Sequence, residues 1–455
     1  MRTARALQNE YTFQKEQALK LAYKKLPLFD QLVNKEATIA VVGLGYVGLP
    51  LAIHMASVFK VQGFDVNTNK VLQLLQHNDP CNELESNDFK NKDIHFSYED
   101  KSLSEAKFYI VAVPTPIDSH KKPNLNPLKS ATATVAKHLK KGDCVVFEST
   151  VYPGCTEEIC VPILERISRL KFNKDFTVGY SPERINPGDK KHTFTQIKKV
   201  VSGSTKEALS LVANVYKQVV TAGVHKAPSL KVAEASKVVE NIQRDVNIGL
   251  MNELAQIFDR LDIPIKDVLE SAGTKWNFQN YFPGLVGGHC IGVDPYYLID
   301  RARHFNFKPA LLEQVRATNE GMISHIVNQI DKRCRLTYDI SNKRILVKGI
   351  TFKEDVNDIR NSKVANIVTA LIKKGYDVTI EDPFANKQEV AQEYGFELID
   401  QKHINQKFNV VIMAVNHSVY QDIDTIDNTL TANGFLYDIR GTFKHLVQTH
   451  KYITL

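Results

Sequence analysis

The sequence predicts an α/β protein with two Rossmann-like parallel-sheet domains joined by a helical central domain that contains one long helix. Three observations predict it. From Ala37 onward, short runs rich in Val, Ile and Phe alternate with helix-like polar–apolar stretches, which implies a parallel sheet covered on both faces. Between Ser229 and Leu261 no Pro occurs and Gly249 stands alone, while Val239, Ile242, Val246, Leu250 and Leu254 recur at three- and four-residue steps, the period of a helix. Beyond about Asn342 the strand–helix alternation resumes.

The elements follow in order. Residues 1–36 predict a helical N-terminal extension, with Leu19, Leu21, Leu26, Leu28 and Leu32 set among Lys, Gln and Glu. Strands are expected at Thr38–Val42, Val61–Asp65, Phe108–Val113, Cys144–Phe147 and Phe176–Tyr180, which define a first α/β domain over 37–226. The central helical domain covers 227–335, and its long helix is placed to join the lobes and to carry a dimer contact. Strands at Arg344–Lys348, Asp377–Glu381, Asn409–Ala414 and Phe435–Ile439 build a second α/β domain over 336–455. The uncharged stretch Ala37–Phe59 is long enough to span a bilayer, but its glycines, Pro50 and His54 read as strand, turn and buried helix. No membrane segment is expected.

With 455 residues, 43% hydrophobic and 24% charged, the chain is globular and large enough for several cores. Its formal net charge is +7, and residues 1–36 contribute +3 of it (seven Lys/Arg against four Asp/Glu). The remaining surplus suits an anionic small substrate and gives no reason to invoke nucleic acid. Six cysteines are too few for a disulfide scaffold, and Cys155 with Cys160 has no second pair at zinc-finger spacing, so no metal is expected. The leading residues lack the apolar core of a signal peptide, and a reducing cytoplasm is the expected compartment.

Gly43-Leu44-Gly45-Tyr46-Val47-Gly48 follows the first strand directly and opens a helix, with Asp65 at the end of the next strand, 20 residues after Gly45. Glycines there permit a tight turn and close approach of a pyrophosphate to the helix N-terminus, while the carboxylate takes a ribose 2′-hydroxyl. Asp65 would repel a 2′-phosphate, so NAD is expected rather than NADP. The second α/β domain has no such fingerprint.

A second dense motif is Gly287-Gly288-His289-Cys290-Ile291-Gly292-Val293-Asp294-Pro295. Asp294-Pro295 reads as a helix start with Asp294 as the cap. Cys290 then lies on a glycine-flanked loop ahead of a helix N-terminus, a setting that exposes sulfur and favours thiolate. On these residues alone an inert buried cysteine and a His289/Cys290/Asp294 metal site remain open. On the long helix, Glu234, Lys237, Asn241 and Arg244 fall at i, i+3, i+7 and i+10, on one stripe. Such a row is either a solvated face or a device to polarise an oxygen and hold a phosphate.

At this point the sequence resembles the nucleotide-sugar 6-dehydrogenase (UDP-glucose/GDP-mannose dehydrogenase) family. The residues that carry the resemblance are Gly43–Pro50, Val113–Pro116, Ser149–Gly154, Ser181–Arg184, Glu234–Asn241, Gly287–Pro295 and Phe352–Arg360, in family order. Lys275–Phe278 and Pro283–Leu298 are similar to the UDP-N-acetylglucosamine/galactosamine branch of Vi-antigen-type capsule polysaccharide synthesis. An arginine that reaches the neighbouring subunit's site in the UDP-glucose branch has no match near Lys275, Trp276 and Asn277.

The resemblance implies four-electron oxidation of a sugar CH2OH to a carboxylate, with NAD as cofactor, a UDP-sugar as substrate and a homodimer as the assembly. Cys290 is implied as the nucleophile that forms a thiohemiacetal and then a thioester. Lys237 and Asn241 would stabilise the oxyanion, Asp294 would assist base chemistry, and Glu183 with Thr150 would activate water. Arg184, Ile185, Arg244 and Gly288 would hold sugar or phosphate beside Lys237 and Asn241; Phe352, Lys353 and Arg440 would contact uridine diphosphate. The NAD set is Gly43, Gly45, Tyr46, Val47, Gly48, Asp65, Lys70, Thr115, Thr150 and Arg360. Alternatives are the same chemistry on UDP-glucose, UDP-N-acetylmannosamine or GDP-mannose, a two-electron dehydrogenase that needs no cysteine, and a non-catalytic NAD-binding module.

Overall fold

The computed structural model describes residues 27–80, 84–185, 193–288, 290–337, 343–421, 423 and 426–455. Most of the expected N-terminal extension lies outside the described residues. Within its described end, Leu28–Val33 is a short helix whose Leu32 is fully buried in the core of the first sheet. The chain divides into two compact units, one holding the chain up to Thr115 with Asn124–Lys237, the other Pro116–Pro123 with Val238–Leu455.

The first unit is built on eight strands: β1 Thr38–Val42, β2 Val61–Phe64, β3 Ile94–Ser97, β4 Ala106–Val111, β5 Cys144–Phe147, β6 Thr177–Tyr180, β7 Lys199–Gly203 and β8 Val224–Lys226. Their spatial order is β3-β2-β1-β4-β5-β6-β7-β8. Every residue of β1 and β5 is buried, as strands sandwiched between helix layers must be. Val42 of β1 stands opposite Phe64 on one side and Val111 on the other, so strand order reverses at β1/β4. The loops that follow these two strands leave the sheet side by side, where ligands bind in such folds. Pairing is parallel except between β6 and β7, where Tyr180 faces Ser202 in antiparallel register. This departs from the all-parallel expectation, for β7 returns beside β6 in the opposite direction.

The second unit carries a five-stranded parallel sheet: β9 Arg344–Lys348, β10 Asp377–Glu381, β11 Phe408–Met413, β12 Leu430–Asp438 and β13 Lys451–Thr454, ordered β10-β9-β11-β12-β13. Val347 pairs with Ile412, and the order reverses at β9/β11. A core of Ile345, Val347, Ile367, Val368, Leu371, Val410 and Ile412 packs the helix Lys363–Lys373 and part of the helix Ala310–Thr337 onto one face.

The long helix spans Leu230–Arg260. Its buried face carries polar groups beside Ala233, Val238, Met251 and Ala255: Glu234, Asn241 and Asn252 are 0% exposed, Asp245 1% and Lys237 7%. The apolar row lies outward, with Val239 at 55% and Leu250 at 53% exposure. On the buried side, Arg316 from the helix Ala310–Thr337 pairs with Asp245 at 2.6 Å, and the Asn319 amide donates to the same carboxylate at 2.7 Å. A Cβ at Gly249 would fall 2.9 Å from Val315 Cγ1, so these two helices approach closely there.

Candidate active site

In the first unit the glycine turn divides its labour. Gly43 has φ +94, and a Cβ on it would sit 2.7 Å from the Ala112 carbonyl oxygen; a Cβ on Gly48 would sit 1.8 Å from the Gly43 carbonyl oxygen. Both glycines are required by the protein's own packing. Gly45 differs, for a Cβ there would meet nothing within 4 Å. The space over Gly45 is therefore left for a group from outside, beside the start of the helix Gly48–Met55 that follows Val47. Asp65 is tied into this turn: its Oδ2 accepts the Leu44 N–H at 2.9 Å and the Lys70 ammonium at 3.0 Å, and its Oδ1 accepts the Asn67 N–H. A carboxylate has about four acceptor sites, so one remains for a ribose hydroxyl. The residues fit a dinucleotide.

At the neighbouring strand ends, the Thr115 hydroxyl donates to the Thr150 carbonyl at 2.7 Å, and Ser149 Oγ donates to the Val113 carbonyl at 2.6 Å. Glu234, fully buried, accepts N–H bonds from Gly154 at 2.5 Å and Thr156 at 2.9 Å. It thereby anchors the wide turn Thr156–Cys160 that starts the next helix.

Glu183 is the centre of a cluster that the sequence reading did not anticipate. Its Oε1 accepts the N–H groups of Arg184 (2.5 Å) and Ile185 (2.6 Å), and its Oε2 meets the Lys199 ammonium at 3.0 Å. Lys199 also meets Glu148 at 2.9 Å, and Glu148 accepts the Tyr216 hydroxyl. Burial pushes the Glu183 carboxyl up, but Lys199 and the two N–H groups outweigh it, and the net direction is down. Burial pushes Glu148 up despite Lys199. The sequence offers no clear signal for it, since Lys199 opens its strand directly after Lys198 and nothing marks it as the buried one. Arg184 donates to the Lys198 carbonyl at 2.8 Å, and Ile185 packs against the sheet core.

In the second unit, Cys290 is exposed, whereas Cys144, Cys155, Cys160 and Cys334 are buried. Burial pushes the Cys144 thiol to about 12 and the Cys334 thiol to about 11, which makes both inert. The Cys290 carbonyl accepts the N–H groups of Val293 (3.0 Å) and Asp294 (2.8 Å), a turn that delivers the cysteine to the start of the helix Asp294–His304. His289 lies outside the described residues; among the described ones no His/Cys/Asp/Glu group is arranged for a metal.

One expectation needs correction here, and one open alternative is decided. Asp294 does not cap its helix: Val293 occupies the cap position, and no side-chain capping bond forms there. Asp294 is instead 3% exposed, inside the first turn, and accepts a hydrogen bond from the Asn241 amide, because the long helix presents that amide to it. The row Glu234–Lys237–Asn241 is not a solvated face but the helix's buried side, with Arg244 half-buried and donating to Asn241 Oδ1.

Gly288 has φ +75, and a Cβ there would strike the Phe352 ring at 2.7 Å. Its carbonyl accepts from the Asn361 amide at 2.7 Å. Phe352, Lys353 and Arg440 line one groove of about 480 Å³ at the carboxyl ends of β9, β11 and β12, with Gly287 and Asn416 on its wall. Arg360 is not among the lining residues; its guanidinium pairs with Asp358 at 2.7 and 2.9 Å.

The dinucleotide turn, the loop with the exposed cysteine and the second α/β domain are the equipment of an NAD-dependent oxidoreductase. Residues 37–220 match the NAD binding domain of the UDP-glucose/GDP-mannose dehydrogenase family, 231–321 its central domain and 346–445 its UDP binding domain. The chain belongs to the UDP-glucose/GDP-mannose dehydrogenase family and is a nucleotide-sugar 6-dehydrogenase. Among curated relatives, protein CapL of Staphylococcus aureus is 51% identical over 406 residues, 89% of this chain and 95% of that one. The UDP-N-acetyl-D-glucosamine 6-dehydrogenase of Pseudomonas aeruginosa is 46% identical over 410 residues, 89% of this chain and 97% of that one. Among solved structures, the UDP-D-ManNAc dehydrogenase of Pyrococcus horikoshii superposes with a TM-score of 0.82 at 26% identity, over 92% of this chain and 98% of that one. Among the described residues no helix is long and apolar enough to cross a membrane.

Proposed function

We propose that the protein oxidises C6 of a UDP-N-acetylhexosamine, UDP-N-acetylglucosamine or its galacto epimer, to the uronate for polysaccharide synthesis, through a thioester on Cys290. The observation that carries this reading is the exposed Cys290 thiol, held by a turn at the start of the helix whose Asp294 is paired with Asn241. The identity to the P. aeruginosa UDP-N-acetyl-D-glucosamine 6-dehydrogenase supports the choice of sugar.

Gly43–Gly48, Asp65 and Thr115 would hold NAD, which when bound would supply the hydride acceptor, one NAD for each of the two oxidations. The chain's own residues do the rest. Lys237 and Asn241 hydrogen-bond the C6 oxygen, first as the hydroxyl loses its proton and again when charge returns to it. The Cys290 thiolate adds to the aldehyde carbon, forming a C–S bond and placing negative charge on that oxygen. Collapse of this thiohemiacetal expels the second hydride and leaves a thioester. Water then attacks the acyl carbon, the C–S bond breaks, and the carboxylate and thiol are released. Asp294 takes the proton from the C6 hydroxyl in the first oxidation and from water in the last, and Thr150 is the second group assigned to water activation. Glu183, with both oxygens committed to Lys199 and the Arg184–Ile185 N–H groups, serves the site by fixing that turn. Phe352, Lys353 and Arg440 hold the uridine diphosphate, with Arg able to meet two oxygens at once.

The assembly we assign is a homodimer, supported by the outward apolar row of the long helix, Val232, Val239, Leu250 and Ile257, all more than 40% exposed. A reducing compartment such as the cytoplasm suits an obligatory thiol.

The test is NADH formation at 340 nm with NAD and a panel of UDP- and GDP-sugars. Two NADH per UDP-N-acetylhexosamine, lost by at least about a thousandfold in Cys290→Ala, is the expected result. One NADH per sugar, or activity that survives the substitution, overturns the thioester route. Preference for UDP-glucose, UDP-N-acetylmannosamine or GDP-mannose overturns the sugar.

A further inference from the structure

The groove lined by Phe352, Lys353 and Arg440 carries two further groups that have no assigned role. Ser362 is the N-cap of the helix Lys363–Lys373 and is 1% exposed, yet its hydroxyl makes no capping bond and has no hydrogen-bond partner. A capping serine ordinarily turns its oxygen onto the N–H of the second or third helical residue. A buried hydroxyl left unsatisfied is costly, and natural structures keep such groups for a reason. Both Ser362 and Lys363 line the groove, where the first-turn N–H groups of that helix also lack intrahelical acceptors.

Lys363 is the second anomaly. It is half-buried, with its stem against Gly287, where an added Cβ would lie 3.5 Å from Lys363 Cγ. Burial pulls its ammonium down, and Arg316 and Lys121 push the same way; Glu320 opposes them. That carboxylate is already engaged, by Lys121 at 2.5 Å, the Tyr296 hydroxyl at 2.9 Å and Arg316 at 3.2 Å. Among the described residues Lys363 forms no ion pair of its own. A half-buried cation whose nearest carboxylate is shared with Lys121 and Arg316, an unpaired buried hydroxyl and a helix N-terminus thus converge on one groove, and an anion would satisfy all three.

We propose that Ser362, Lys363 and the first-turn N–H groups of the helix Lys363–Lys373 form an oxyanion subsite that receives the pyrophosphate of the nucleotide-sugar substrate. The proposal rests on the reading of this groove as the uridine-diphosphate site. It adds a second set of donors to Lys353 and Arg440, so that two phosphoryl groups rather than one are recognised. The ligand also gives the buried Ser362 hydroxyl the hydrogen-bond partner it lacks.

The experiment is titration calorimetry of the full chain with UDP, UMP and uridine, comparing the parent with Lys363→Met, Lys363→Arg and Ser362→Ala. Lys363→Met is expected to lose about tenfold or more in UDP affinity, with less than about threefold change for uridine, and Lys363→Arg to retain most of the UDP affinity. Ser362→Ala, which removes one oxygen atom, is expected to lose UDP affinity in the same order. Lys363→Met is also expected to melt within a few degrees of the parent without ligand, since Glu320 keeps Lys121, Tyr296 and Arg316 as partners. Equal losses for UDP and uridine, or UDP binding in both variants as tight as in the parent, overturn the subsite. A parent protein that binds no UDP overturns the uridine-diphosphate reading of the groove, and the subsite with it.

Discussion

The Lys199 ammonium lies 3.0 Å from the Glu183 carboxylate, and both side chains are at least nine-tenths out of solvent. One cation there serves two buried carboxylates, since Glu148 sits 2.9 Å away on the other side. Removing the cation strands both. Lys199→Met is expected to destabilise the fold by about 3–5 kcal/mol, measured by urea unfolding of the full chain. Glu148→Gln is expected to cost less, because burial already favours the protonated form of that carboxyl. A Lys199→Met protein as stable as the parent would remove the cluster from the account.

The two glycines of the dinucleotide turn predict opposite outcomes. Gly45→Ala places its methyl in open space and is expected to change stability by less than about 0.5 kcal/mol while raising the Michaelis constant for NAD about tenfold. Gly48→Ala drives its methyl into the Gly43 carbonyl and is expected to cost about 3 kcal/mol or more. Thermal melts beside NAD titrations check both. Normal NAD use by Gly45→Ala would mean that the cofactor does not approach that backbone.

Asp143 predicts a pH dependence. It is 2% exposed, and burial pushes its carboxyl up to about 7 although the Lys140 N–H bonds to it. The unfolded chain has this carboxyl near 3.9. A folded value above the unfolded one means that the folded state holds the proton more tightly, so this residue's contribution declines as pH rises from about 4 to about 7 and is level above that. Asp143→Asn is therefore expected to be more stable than the parent at pH 8, by about 1 kcal/mol or more, and nearly equal to it at pH 4. An identical difference at both pH values would sink the assignment.

The outward apolar row predicts an assembly. Val239→Asp combined with Leu250→Asp is expected to shift the protein from twice the chain mass to the chain mass in sedimentation equilibrium, while its circular dichroism stays unchanged. A parent that already sediments at the chain mass of 51.4 kDa would remove the dimer.

The fold was legible where a short apolar or β-branched run sits between turn signals. β1, β5, β9 and β10 fall at the expected residues because such a run has few other solutions, even in β10, where only Ile380 and Glu381 are buried. Ile94–Ser97 and Val224–Lys226 escaped notice because each mixes polar residues into three or four positions, and edge strands owe their existence to the neighbour they pair with. The long helix was legible by its period, yet its inward face was not. Periodicity identifies an apolar stripe without saying whether the stripe meets the core or another surface, and here Asp245, Asn252 and Asn319 fill the inside. Cys290, Gly43–Gly48 and Asp65 were visible as motifs. Lys199, Ser362 and Lys363 were not, since their significance lies in partners held or missing far along the chain.

A helix that packs through leucines can slip by a residue and find new leucines to touch. The helix Leu230–Arg260 has no such freedom, because Asp245 is claimed by Arg316 and Asn319, and Asn252 by Asn319 and both backbone groups of Gly284. A slip would leave each of these buried groups unmatched, at about 1–3 kcal/mol apiece. The helix consequently works as a ruler: Lys237 and Asn241 are graduations about 6 Å apart on a scale whose zero is locked by amides and carboxylates several turns away.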